Sequence, residues 1–313
     1  MSRIHEALKK AAQERVAQLG TRAGADSITL DPSHDLAPEI LESLAEPALR
    51  SAKPAIETTE ATLKYDFEQF ASRCPHPDWK IDSSTDIFST EMGAQDVVER
   101  FVTLRSRLYQ VAAVQPLRRI LISSSLPMEG KTFITANLAH AFSRQSDRRV
   151  LLIDADIRAP RLHMSLGAAN TPGLSDYLLG DVSETQVTQV GPAGNLCLIP
   201  AGKDTKDPGE LLHRPRMKEL LDKMSRLFDW VIVDSPPALA VHDASLLADI
   251  CDGVLFVVRA GTTDFEIAEK AASEFQGKNL LGVVLNRVEK GDAYHSYYYS
   301  YYNSGKQAPA NDH

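Results

Sequence analysis

The chain has 313 residues, with 34 Lys and Arg against 42 Asp and Glu for a formal charge of −8, and 43% of its residues are apolar. That composition belongs to globular proteins with a sizeable core, and the acidic balance disfavours a binder of nucleic-acid backbone. No stretch approaches the ~18 consecutive apolar residues of a spanning helix, and the start MSRIHEALKK lacks the apolar segment of a signal peptide. Cys74, Cys197 and Cys251 show neither disulfide nor metal spacing, so a cytoplasmic protein with reduced thiols is expected.

Residues 2–19 place Ile4, Leu8, Ala11, Ala12, Val16 and Leu19 at helical spacing, which predicts a short amphipathic helix. Such a helix can dock on a partner or a membrane surface, or lie on its own domain. From Gly20 to about Ser84, prolines at 32, 38, 47, 54, 75 and 77 break any long period, and the stretch reads as a tether with at most short helices. Order is expected from about Asp86, where Val97, Val98, Phe101, Leu104, Leu108 and Val111 mark a helix running toward Pro116.

Short runs rich in Val, Ile and Leu then recur at 119–123, 150–154, 196–200, 230–234, 253–259 and 281–286. They do not alternate, as expected of strands buried on both faces. Helical stretches at 132–145, 215–227, 242–249 and 263–276 lie between them and are long enough for right-handed crossovers. The predicted fold is α/β: a doubly wound, mostly parallel sheet of the P-loop NTPase type, with a partly disordered N-terminal extension and a flexible C-terminal tail. Ligands of such sheets sit beyond the carboxyl ends of the strands.

After the first run comes Ser125-Leu126-Pro127-Met128-Glu129-Gly130-Lys131-Thr132, a phosphate-loop pattern whose first glycine is replaced by Ser125. Such a loop needs backbone N–H groups at a helix N-terminus, a cation for the phosphates and a hydroxyl for Mg²⁺, and Gly130 to Thr132 supply all three. Two later runs end in Asp154-Ala155-Asp156 and Asp234-Ser235-Pro236-Pro237, placing three carboxylates at strand ends where Mg²⁺ needs hard oxygen ligands. ATP with Mg²⁺ is the implied ligand. Beyond the last run, Tyr294, Tyr297, Tyr298, Tyr299, Tyr301 and Tyr302 cluster among glycine, serine and asparagine with no helical or strand period. A phenol-rich arm of this kind can be adhesive, can stack on nucleic acid, or can accept phosphate; Lys306 is too little cation for a grip on nucleic acid. A tyrosine hydroxyl has an ordinary pKa near 10 and needs a base or metal field to attack the γ-phosphate, which makes a site aspartate the candidate.

These residues resemble the bacterial tyrosine kinases. The Leu151-Leu152-Ile153-Asp154-Ala155-Asp156-Ile157-Arg158-Ala159-Pro160 segment, the variant phosphate loop, the aspartate followed by Pro236-Pro237 and the tyrosine cluster match that family's motifs. The start Ser2 to Ala11 is similar to autokinases that accompany exosortase and exopolysaccharide loci. The chain is thus expected to divide into an amphipathic helix and flexible linker at 1–85, a P-loop tyrosine kinase domain at 86–290 and a tyrosine-rich autophosphorylation tail at 291–313. The resemblance implies that Ser125, Met128, Glu129, Gly130, Lys131, Thr132 and Phe133 enclose the nucleotide. Lys131, Asp154, Asp156 and Asp234 are the implied catalytic set, with Asp154 as base; Thr132, Asp156 and Asp234 would hold the metal, and the division of roles between Asp154 and Asp156 is left open.

Asn286 matches a position that contacts adenine in related ATPases, the other reading being a strand-end asparagine that satisfies local backbone. The resemblance further implies a homo-oligomer, a separate membrane polysaccharide co-polymerase as activator, a peripheral place at the inner membrane through that partner, and no nucleic acid. Two departures stand out: Met128 replaces a frequent glycine, and Val102 interrupts an E-x-x-R-x-x-R helix that Glu99 and Arg105 otherwise fit. The alternative is a switch ATPase of the ParA/MinD kind, whose signature lysine would fall at Leu126.

Overall fold

In a computed structural model, which describes residues 66–81, 86–88 and 95–288, the chain builds one seven-stranded sheet flanked by helices. The strands are β1 (Arg119–Ser124), β2 (Val150–Asp154), β3 (Gln189–Val190), β4 (Leu196–Ile199), β5 (Trp230–Asp234), β6 (Gly253–Arg259) and β7 (Leu280–Asn286), in the order β3-β4-β2-β5-β1-β6-β7. All neighbours are parallel except β3, which runs antiparallel to β4. The six runs read from the sequence are the six parallel strands. β3 has two residues, too few to carry a period.

The reason those runs do not alternate is visible in the core. Leu121, Leu151, Ile153, Val231, Val233 and Phe256 enter one apolar cluster, and Ile120, Ile122, Leu152, Ile232, Leu255 and Val257 enter the other. Successive side chains point to opposite faces, and both faces are covered. One face receives α1 (Gln95–Val114), α2 (Lys131–Ser143) and α3 (Leu162–Leu166) through Phe101, Leu108, Leu138, Phe142 and Leu162. The other receives α4 (Leu174–Leu179), α5 (Glu184–Val187), α6 (Pro208–His213), α7 (Pro215–Leu227), α8 (Asp243–Ile250) and α9 (Phe265–Ser273). Helices α3 to α6 span 4–6 residues, shorter than two turns, so no amphipathic period announces them.

Residues 66–81 depart from the tether reading. Phe67, Phe70 and Cys74 form a one-sided helical stripe and enter the first cluster, Trp79 enters the second, and Pro75 O accepts from Val190 N at 2.9 Å. The prolines conceal this stripe, because Pro75 and Pro77 interrupt the period soon after Phe67 and Phe70 while leaving those apolar side chains free to pack. The amphipathic stretch at 2–19 and the tyrosine cluster at 294–302 lie outside the described residues. No helix among the described residues is long and apolar enough to cross a membrane.

Candidate active site

Strands β1, β5 and β2 end side by side, with Ile122 and Asp154 both in register with Asp234. The chain leaving β1 makes a tight loop before α2, and Gly130 caps that helix with φ 98°. A Cβ at Gly130 would lie 2.1 Å from Asn286 Nδ2, so glycine is required by both backbone conformation and space. Asn286 Nδ2 donates to Glu129 O at 2.8 Å, and Arg287 N donates to Asn286 Oδ1 at 2.9 Å. The asparagine at the end of β7 therefore clamps the loop's backbone, as the local-backbone reading expects, and it also lines the cleft beside α1.

Glu129 is buried, and its carboxylate accepts from Leu126 N at 2.8 Å, from the Thr263 hydroxyl, and from Arg259 N at 3.4 Å. Its side chain braces the loop against the chain beyond β6, so any contribution to a nucleotide comes from its backbone. Met128 sits at φ 67°, a left-handed conformation that costs a non-glycine residue about 1 kcal/mol, and its side chain is 65% exposed at the loop's tip.

Four predicted residues converge beneath the loop. Lys131 Nζ lies 3.5 Å from Asp156 Oδ2, and Thr132 Oγ1 donates to Asp234 Oδ2 at 2.6 Å. The sequence reading missed Thr135, one turn further along α2, whose hydroxyl has Lys131 O at 2.9 Å and Asp234 Oδ1 at 3.3 Å to share its one proton; the spacing of two threonines three residues apart on a helix was the available signal. Asp154 is fully buried, and its oxygens accept from Asp156 N at 3.2 Å and Leu162 N at 3.1 Å.

Burial dominates the electrostatics. It pushes Asp234 up to about 6 against the pull of Lys131 and the Thr132 hydrogen bond. It holds Asp154 well above the ordinary carboxylate range, with the Asp234 charge adding to the effect. Asp156 is also raised by burial, with Lys131 opposing.

Arg158 leaves the same turn and donates through Nε to Asp243 Oδ2 at 2.9 Å. Asp243 begins α8 and was not among the predicted site residues, since nothing in its local sequence distinguishes it from an ordinary helix-start acid. Phe133 meets Phe101 edge to face at 6.1 Å and, with Gly130 and Asn286, lines a cleft of about 1030 Å³ between α1 and β7. Arg105 is turned inward, donating to Ala141 O of α2 at 2.5 Å.

The donor set fits a magnesium–nucleotide complex. Thr132 and Asp234 offer hard oxygens in contact, Lys131 supplies the cation, and the buried Ser125 hydroxyl, at the foot of the loop, has no hydrogen-bond partner among the described residues. Among the described residues no group of three or more His, Cys, Asp or Glu could hold a metal ion.

Fold and site together define a P-loop nucleotide-binding protein. The family model of the CobQ/CobB/MinD/ParA nucleotide binding domain matches residues 129–307. Tyrosine-protein kinase YwqD of Bacillus subtilis (strain 168) is 36% identical over 190 residues, covering 60% of this chain and 80% of YwqD. Tyrosine-protein kinase etk of Escherichia coli (strain K12) is 35% identical over 199 residues, covering 63% of this chain and 27% of that protein, so the chain spans about a quarter of that longer relative. Among solved structures, the kinase domain of Escherichia coli tyrosine kinase ETK aligns with a TM-score of 0.61 at 34% identity, covering 66% of this chain and 82% of that one. The chimerical protein CapA2B2 aligns with a TM-score of 0.62 at 29% identity, covering 72% and 100%. The chain belongs to the CobQ/CobB/MinD/ParA nucleotide-binding family and, within it, to the bacterial tyrosine-protein kinases.

Proposed function

We propose that the chain is an ATP- and Mg²⁺-dependent tyrosine autokinase that phosphorylates the cluster Tyr294, Tyr297, Tyr298, Tyr299, Tyr301 and Tyr302. The observation that carries this reading is the convergence of Lys131, Thr132, Asp156 and Asp234 with the buried Asp154 beneath one loop, in a chain whose relatives bear the name of tyrosine kinases. The kinase domain would run from about residue 66 to 290, its expected start at 86 moved back because Phe67, Phe70 and Trp79 pack into the core, with 291–313 as the tail it modifies and the residues before 66 as the N-terminal extension.

Lys131 and the N–H groups at the start of α2 hold the phosphates by charge and hydrogen bonding. Thr132, Asp156 and Asp234 would hold Mg²⁺, which neutralises charge on the phosphate oxygens. Asp154 takes the phenolic proton; a carboxylate that burial holds above the ordinary range is a stronger base than an exposed one. Ser125, Met128 and Glu129 shape the loop, and Phe133 and Asn286 stand at the cleft where the base of the nucleotide would lie.

A tail reaches a neighbouring subunit's pocket as readily as its own, so a homo-oligomer with transfer between subunits is part of the proposal. Regulation of exopolysaccharide polymerisation or export, with a separate membrane co-polymerase as activator and a peripheral place at the inner membrane, completes it. It is supported by a relative named for a cps region.

Mass-spectrometric mapping after incubation with Mg-ATP is expected to find phosphotyrosine within residues 294–302, and Lys131→Met to reduce it at least ~10³-fold. Asp154→Asn is expected to lose transfer while keeping nucleotide affinity. ATP hydrolysis with unmodified tyrosines, even with a cognate activator supplied, would identify a switch ATPase and end the kinase reading.

A further inference from the structure

Two features beside the phosphate loop have no part in the mechanism above. Ala159 N donates to Asp156 Oδ1 at 3.2 Å, closing a turn around that carboxylate, and Arg158 rides on this turn. Its Nε donates to Asp243, whose side chain is 6% exposed, while the arginine side chain is 41% exposed. One edge of the guanidinium is thus anchored on a buried acid, and among the described residues its terminal nitrogens make no hydrogen bond.

The second feature is Gly209 on α6. A Cβ there would stand 2.8 Å from Asp243 Oδ1 and 3.3 Å from Arg158 Nη2. Its backbone does not need glycine; the ion pair packed against it does.

Besides the Mg²⁺ that Thr132, Asp156 and Asp234 would hold, the site's cation is Lys131, already shared with Asp156, while the phosphoryl group in flight brings further negative charge.

We infer that Arg158 is a catalytic residue of the phosphoryl transfer, its free Nη pair gripping oxygens of the group in flight, and that Asp243 is the positioning residue that aims it. This rests on the tyrosine-kinase reading. In that step the phenolic oxygen bonds to the γ-phosphorus as the bond from that phosphorus to the β–γ bridging oxygen breaks. The phenolic proton passes to the strand-end carboxylate, and ADP leaves with the bonding pair. A planar guanidinium can hold Asp243 with one edge and phosphoryl oxygens with the other, which a lysine ammonium cannot do.

The test compares binding of fluorescent ADP with aluminium fluoride, which stands in for the group in flight, against binding of the same ADP alone, beside the rate of phosphotyrosine formation. Arg158→Gln and Arg158→Lys are each expected to weaken the aluminium-fluoride complex and to lower kcat by roughly 10²-fold, with ADP affinity and the KM for ATP unchanged. Gly209→Ala, which displaces the pair, is expected to act in the same direction by about tenfold. Equal loss of both complexes together with a lowered Tm would make the pair a structural strut and overturn the inference, as would wild-type behaviour of Arg158→Lys.

The aluminium-fluoride arm needs no tyrosine. A protein that never phosphorylates tyrosine, yet loses this complex in Arg158→Gln, refutes the kinase reading and retains the grip on the phosphoryl group. One that phosphorylates tyrosine and ignores the substitution refutes only the role of Arg158.

Discussion

At the amino ends of the strands, acids and arginines are matched. Asp252, just before β6, accepts from Arg118 N and Arg119 N at 2.8 Å each and from Arg119 Nε at 3.3 Å, and Arg119 also meets Asp222 at 2.7 Å. Asp229, just before β5, accepts from Arg149 N at 2.8 Å and pairs with its Nε at 3.2 Å. At the carboxyl ends of the sheet's strands, Asp156 and Asp234 share the charge of Lys131, Asp154 lies in register with Asp234, and burial raises the pKa of all three. The difference teaches how one sheet separates two tasks. Acids that are paired and fed by backbone N–H groups tie neighbouring strands together. Acids left short of positive charge strain the ligand-free fold and are relieved by a cation, which makes that end a binding site.

Substitutions should divide along this line. The largest effect expected on stability comes from Asp234. A folded-state pKa raised to about 6 means that the folded protein holds this proton more tightly than the unfolded chain does. The contribution therefore falls as pH rises from about 4 to about 6, and the full loss is about 3 kcal/mol. Asp234→Asn should remove that decline and leave the ligand-free protein more stable near pH 7, while abolishing transfer. Urea unfolding across this pH range measures it, and an unchanged slope in the variant would place the strain elsewhere.

At the opposite end the sign reverses. Asp252→Ala strips the partner from two backbone N–H groups and a guanidinium, and should cost about 2 kcal/mol with kcat and KM intact. A change in kcat would break the separation between the two ends. The smallest effect belongs to the phosphate loop itself. Met128→Gly relieves a positive φ at the price of a more flexible unfolded chain, and should stabilise by up to about 1 kcal/mol, visible as a small rise in Tm.

Much of this was legible before any coordinates. Gly130-Lys131-Thr132 and the acids closing the runs at 150–154 and 230–234 stand at fixed offsets from apolar strands, so local pattern locates them. The bracing of Glu129, the clamp from Asn286, the Arg158–Asp243 pair and the packing of Phe67 and Phe70 were not legible. Each joins residues from separate parts of the chain, and no spacing along the sequence records such a meeting.

By itself the sequence determined the alternation of buried strands and crossover helices and the chemical types at their ends, because periodicity and side-chain chemistry are local properties. Only the tertiary structure decided which acid is starved of charge and which is paired, since burial and the approach of a distant arginine, threonine or backbone N–H arise when the strands assemble in the order β3-β4-β2-β5-β1-β6-β7.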